Sequence, residues 1–246
     1  SRISLTDSGK LLLEHCERIL EDYKRLEYEM HLLHNEYTGG LKLGASTTIA
    51  QYVLPPLLAS FIGKFPQVNL SLLNGNSREI EAALQEHRID LGFVEGVFRL
   101  PNIKYTTFLE DELVAVVRTG SRLTVGEEIT PEELLHLPLV LRERGSGTLD
   151  VFERALQQHN IKLSSLQVLM YLGSTESIKL FLEHTDCLGI VSIRSITREL
   201  YSGQLRVVEI KGMPMLRDFS FAQPQGQESG LAQVFMQFAM HNNNKL

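Results

Sequence analysis

The sequence predicts an α/β fold of two lobes preceded by one long helix. Three observations carry that reading: an apolar heptad across the N-terminal segment, strand-like and helix-like segments that alternate from Leu41 onwards, and two similar βαβ units within that alternation.

The heptad comes first. Leu12, Cys16, Ile19, Tyr23, Leu26, Met30, Leu33 and Tyr37 recur at alternating steps of four and three, while Glu14, Glu17, Arg18, Glu21, Asp22 and Lys24 fill the other faces. The Thr6 hydroxyl is placed to cap the helix start, and Gly39-Gly40 to close it. An amphipathic helix lying on its own domain would show a similar stripe. The regularity of this seam favours pairing with another chain through Leu12, Cys16, Ile19, Tyr23, Leu26, Met30 and Leu33. Aromatic Tyr23 and Tyr37 and small Cys16 make the seam imperfect, so the helix alone pairs weakly.

After Gly40 the period changes. Leu41 to Ala45 reads as a strand, Ile49 to Lys64 as one helix, Val68 to Leu73 as a strand, the segment after Ser77 as a helix, and Asp90 to Val94 as a third strand. A βαβαβ order implies a mainly parallel sheet with right-handed crossovers. Further strands are expected at Glu112–Val117, Leu139–Leu141, Leu166–Met170, Cys187–Val191, Leu205–Ile210 and Phe219–Ala222. Helices are expected after Pro131, over Leu149–His159, over Glu176–Glu183 and over Ser229–His241.

Composition narrows the function. The chain has 246 residues, 43% hydrophobic and 22% charged, with a net charge of −6. An acidic chain is a poor match for phosphate backbones, so it is not expected to grip nucleic acid by itself. No apolar run approaches the ~18 residues of a membrane helix, and the first residues do not form a secretory signal, which leans towards the cytoplasm. The two cysteines, Cys16 and Cys187, read as reduced, mostly buried thiols. No metal cluster and no cofactor motif is present in the sequence.

The strand-to-helix junctions hold the candidate binding residues. Ser46, Thr47 and Thr48 follow the first strand, and Asn76 and Ser77 the second. Ser146, Gly147 and Thr148 follow the strand of the second unit, and Ser174 and Thr175 the next. Each can cap its helix. Together, helix starts, hydroxyls and the nearby Arg142 and Arg144 make an anion site, with Gly145 and Gly147 allowing close backbone approach. Asp90 and Glu95 flank a strand, but nothing in the sequence places a second group beside either, so both read as structural. The sequence holds no GxSxG, HExxH, Walker loop or GxGxxG, and an enzyme is not expected.

Several segments resemble one family. Arg2 with Leu5 to Leu12 looks like the end of the winged helix-turn-helix and the start of the linker helix in LysR-type transcriptional regulators. Gly40 to Ser46, Tyr52 to Leu58, Phe65 to Val68 and Asp90 to Phe93 look like successive pieces of their effector-binding domain. The resemblance implies a type 2 periplasmic-binding-protein-like fold with mixed sheets. It implies a linker region over 1–39, one lobe over 41–117 plus 212–246, and a second over 118–211. It implies that the family's DNA-reading head would precede Ser1, and that promoter DNA is reached only through that head. It also implies homodimers or homotetramers and an effector in the interlobe cleft, held by Ser46, Thr47, Thr48, Asn76, Ser146 and Thr148. Arg144 to Glu153 is most similar to the branch that senses small anions of sulfur or carbon-fixation metabolism. A solute receptor of a membrane transporter would share the fold, and the heptad argues against it.

Overall fold

The computed structural model describes residues 5–34, 37–97, 99–123, 126–226 and 230–242, and leaves out the side chains of 17, 21, 24, 25, 27–29 and 31–34. The expectations for Arg2 and Ser229, and the side chain of Leu33, therefore lie outside the described residues.

The first helix, α1 (Asp7–His34), starts as expected: the Gly9 N–H donates to Thr6 Oγ1 at 3.1 Å. Leu12, Cys16, Ile19, Tyr23, Leu26 and Met30 are all exposed in the single chain. Cys16 therefore departs from the expected buried thiol, whereas Cys187 is buried. Tyr37 leaves the seam: its ring meets Phe65 edge-on at 5.5 Å. Gly39-Gly40 does not close the helix either, but opens β1 (Gly39–Ser46).

β1 lies between β2 (Val68–Gly75) and β3 (Leu91–Glu95), parallel to both. The expected single helix between β1 and β2 is two, α2 (Thr47–Tyr52) and α3 (Leu54–Lys64). Pro55 and Pro56 have no N–H to return to the carbonyls of Gln51 and Tyr52, so α2 stops and the prolines begin a new helix. α4 (Ser77–Gln85) then connects β2 to β3.

A 16-residue strand, β4 (Ile103–Arg118), replaces the expected six-residue one. After β5 (Glu128–Ile129) and a 3-10 turn comes the second unit: β6 (Pro138–Arg142), α5 (Gly147–Gln158), β7 (Gln167–Leu172), α6 (Thr175–His184) and β8 (Leu188–Ser192). Short α7 (Thr197–Tyr201), β9 (Leu205–Ile210), β10 (Leu216–Pro224) and α8 (Gly230–Asn242) complete the chain.

The strand order is β2-β1-β3-β10-β4-β8-β6-β7. Each unit thus puts its first strand in the middle, as β2-β1-β3 and β7-β6-β8, and lays an antiparallel strand beside its third. β4 serves both halves: Ile103–Glu112 pairs with β10, and Leu113–Arg118 with β8 and β9. The sheet is mixed because β4 and β10 run against the parallel units.

Two main cores match the two halves. Phe61, Phe93, Phe221 and Phe235 pack together in the first, with Phe61 and Phe235 ring centroids 4.8 Å apart. Leu139, Phe152, Leu156 and Ile190 anchor the second. Strand ends and helix starts of the two halves come together between them, where the Arg78 N–H donates to Gly145 O at 3.3 Å.

Candidate functional site

Three of the four expected junctions use their leading polar residue as a cap. Asn76 accepts from the Glu79 N–H within a capping box, Ser146 from Leu149 and Ser174 from Ser177. Ser46 is the exception. It stands at the N-cap of α2, makes no capping hydrogen bond, and its buried Oγ has no partner.

The residues beside it are occupied. Thr47 Oγ1 donates to Gly75 O at 3.2 Å and accepts from Arg142 Nη2 at 3.4 Å. Arg142, at the end of β6, is 1% exposed. Its Nε and Nη2 reach the Glu143 carboxylate at 2.8 and 3.0 Å, and Nη2 also reaches Gly173 O at 3.2 Å. Nη1 is buried with no hydrogen-bond partner. A buried guanidinium is stable only when its donors are met, so an open Nη1 marks a place for an acceptor. Arg144, also expected here, is exposed; Arg142 is the buried cation of this junction.

A second buried cation lies deeper. Arg217, from β10, sits 3.2 Å from Glu95 and 2.7 Å from Asp111, all three almost fully buried. Glu95 Oε1 also accepts from Thr48 at 3.2 Å and Thr148 at 3.4 Å, and Arg217 donates to Thr148 at 3.0 Å. Ser77 Oγ donates to Glu95 O at 2.8 Å. The structure thus brings Thr48, Ser77 and Thr148 together around Glu95, and gives Glu95 the partners that the sequence did not show. Arg217 was missed. Its signal was alternation: it shares a strand face with Phe219 and Phe221, where a charge requires a buried counter-charge.

The expected role of the glycines changes. A Cβ on Gly147 would stand 2.3 Å from Glu95 O, and one on Gly145 3.2 Å from Asn76 Oδ1. The glycines let the loop before α5 approach the first half of the chain. The start of α4 is likewise engaged by protein, through the Gly145 carbonyl and the Asn76 cap.

At the mouth of this region the Tyr52 phenol donates to Glu176, and Lys179 reaches Glu176 and Glu199, both at 2.7 Å. Burial, then the hydrogen bond and charge of Glu176, push the Tyr52 phenol well above its usual range, so it remains a donor. Burial also raises Glu176, but hydrogen bonds from Lys179 and Tyr52 outweigh that and hold it below the usual carboxylate value.

Residues 34–243 match the model of the LysR substrate binding domain. The chain belongs to the LysR family. It is 34% identical to the uncharacterized HTH-type transcriptional regulator YeiE of Escherichia coli K12 over 209 residues, which is 85% of this chain and 69% of that protein. It is 29% identical to the RuBisCO operon transcriptional regulator of Acidithiobacillus ferrooxidans, over 96% of this chain and 76% of the relative. The regulatory domain of Synechocystis PCC6803 CcmR, solved in complex with 2-PG, superposes with a TM-score of 0.76 at 27% identity, covering 85% of this chain and 99% of that one. HinK of Pseudomonas aeruginosa, at 20% identity and TM-score 0.71, shares the fold over 99% of this chain and 82% of its own. The fold is the type 2 periplasmic-binding-protein-like one. The chain is the effector-sensing region of a LysR-type regulator rather than a transporter's solute receptor, and the curated relatives are transcriptional regulators. No described helix is long and apolar enough to cross a membrane.

Proposed function

We propose that this region senses a small oxyanion seated against Arg142, Ser46 and Thr47 between the two halves of the fold. One observation carries the reading: Arg142 is buried with Nη1 unpartnered, and the Ser46 hydroxyl, one residue from the threonine that Arg142 touches, is unpartnered too. An acceptor with several oxygens satisfies both, and charge-assisted hydrogen bonds contribute about 1.5–3 kcal/mol each before desolvation of the anion offsets them. A neutral ligand leaves the guanidinium unmet. A solved relative's regulatory domain in complex with 2-PG supports a small-molecule ligand.

The two lobes of this reading are 41–117 plus 212–246, and 118–211, joined through β4 and β10, with Leu113, Ala115, Val117, Met213 and Met215 packing into the core of the second. Occupancy of the cleft sets how the lobes close, and in the homodimer or homotetramer this alters how winged helix-turn-helix heads meet promoter DNA in the cytoplasm. The exposed seam of α1 supplies the pairing surface.

Calorimetry with sulfate, sulfite, phosphate and a phosphorylated carboxylic acid tests it, on wild type, Ser46→Ala, Thr47→Val and Arg142→Met. Micromolar binding of at least one anion, about −8 kcal/mol, weakened in each variant, is expected. Failure of every anion, or unaltered binding in all three variants, overturns it.

A further inference from the structure

The open donors of the cradle mark where an acceptor sits, and the charges around it decide how much charge the acceptor brings. On the basis of the anion site above, we propose that Glu143 sets that charge: it balances Arg142, so the site takes a singly charged oxyanion in preference to a doubly charged one of the same shape.

A guanidinium has two edges on which paired N–H donors can hold an oxyanion. Glu143 occupies the edge formed by Nε and Nη2 of Arg142, at 2.8 and 3.0 Å. Nη2 is shared further with Thr47 Oγ1 and Gly173 O. What remains is Nη1, which has no hydrogen-bond partner. The effector thus meets one nitrogen of a guanidinium whose charge already has a counter-ion.

Glu143 is built into this position. Its N–H donates to Leu172 O at 3.3 Å, and its carbonyl accepts from the Ser146 N–H at 3.2 Å, so both backbone groups are held where β6 leads into α5. Its side chain is 27% exposed, against 1% for Arg142. The pair therefore lies mostly out of water, where a charge is felt more strongly than at the surface.

The neighbouring charges supply no surplus for a second negative charge. Thr48, next to Thr47, donates to Glu95, which pairs with Arg217. Arg217 also meets Asp111, which Arg194 approaches at 3.7 Å. On the other side Lys179 meets Glu176 and Glu199. Tyr52 adds no charge, because burial and Glu176 hold its phenol well above the usual range. With Arg142 and Glu143, these described groups make four cations against five carboxylates. Arg144 and Arg198 are exposed, where water and salt screen them. A dianion would give up its hydration here without a matching cation, whereas a monoanion needs only the charge-assisted donors that stand open.

Calorimetry on the whole chain, at constant ionic strength, compares three tetrahedral sulfur compounds that differ in charge: sulfate, methanesulfonate and neutral dimethyl sulfone. Methanesulfonate should bind at least about tenfold tighter than sulfate. Glu143→Gln keeps an acceptor for Arg142 and removes the charge, from which a dianion gains about twice as much as a monoanion. Sulfate affinity in this variant should therefore rise at least about tenfold relative to methanesulfonate. Glu143→Asp keeps the charge and should keep the wild-type order. Sulfate binding as tightly as methanesulfonate to wild type, or an unaltered ratio in Glu143→Gln, overturns the proposal. Should Glu143→Gln fail to fold, inorganic phosphate on wild type carries the test. Its affinity should fall as pH climbs through neutrality and the anion loses its second proton, while that of methanesulfonate stays level; a rise overturns the proposal. If neither anion binds, or if dimethyl sulfone binds as tightly as methanesulfonate, the anion site itself fails and the charge assignment falls with it. Binding of both anions in the wrong order removes the charge assignment alone.

Discussion

Arg217 on β10 and Glu95 on β3 meet at 3.2 Å with both side chains 1% exposed. Asp111 also has Arg194, whose Nε lies 3.7 Å away, whereas Glu95 pairs with Arg217. Arg217→Ala leaves the Glu95 carboxylate buried without this cation, and a broken buried pair costs about 3–5 kcal/mol. Urea unfolding should show a loss of that order; a loss below about 1 kcal/mol would mean the pair is solvated in solution.

Ser46 and Ser146 look alike in sequence but answer differently. Ser146→Ala removes a helix cap and should cost about 1 kcal/mol of stability. Ser46→Ala removes a hydroxyl that bonds nothing in the protein, so stability should hold while anion affinity falls about tenfold. Paired melts and calorimetry separate the two; equal stability losses would erase the distinction.

Gly147→Ala sets two effects against each other. Alanine favours a helix over glycine by about 1 kcal/mol, yet its Cβ would lie 2.3 Å from Glu95 O, a backbone atom that cannot swing aside. Steric conflict wins, and the variant should lose about 1–3 kcal/mol or hold its halves apart with weakened anion binding. A stabilised variant with normal binding contradicts the contact.

Glu81 gives stability a pH slope. Burial raises its carboxyl above 4.5, against lowering effects of the Tyr105 hydrogen bond, Arg99 and Arg78, while the Asp150 charge adds to the rise. The native state then holds the proton more tightly than the unfolded chain, so stability falls as pH climbs from 4.5 through the native value and levels off above it. Glu81→Gln keeps an acceptor for Tyr105 and removes the slope. Its melting temperature should gain on wild type near about pH 8 and not near about pH 4; the reverse order rejects the assignment.

Ile19→Glu or Leu26→Glu should weaken self-association through α1. Both side chains are exposed on the single chain, and a partner helix would bury them. Light scattering that shows a wild-type monomer, or a variant as associated as wild type, counts against the seam.

Much of this was legible in local sequence. Alternation placed most strands, and Ser46, Asn76, Ser146 and Ser174 marked the helix starts. The break between α2 and α3 was not foreseen: the apolar pattern runs on across Pro55-Pro56 and suggested one helix, although the missing donors of the prolines carried the signal. What stayed hidden was pairing at a distance. Glu95 and Arg217 are 122 positions apart, and only the sheet order β3-β10-β4 makes them neighbours with Asp111. Nor does a short pattern tell which serine caps and which stays open, because that depends on what the opposite half brings to it.

The path of β10 and α8 has a consequence for how the polypeptide is made. The second core draws its buried residues from Leu113 to Met215, all of them made before β10 begins. The other core waits for Phe219, Phe221, Phe235 and Phe238 to join Leu41, Phe61 and Phe93, which were synthesised long before. Domains fold as their residues emerge, so here the half whose sequence lies between the two parts of the other matures first. The half that contains β1 must stay unfinished until Phe235 and Phe238 have been made.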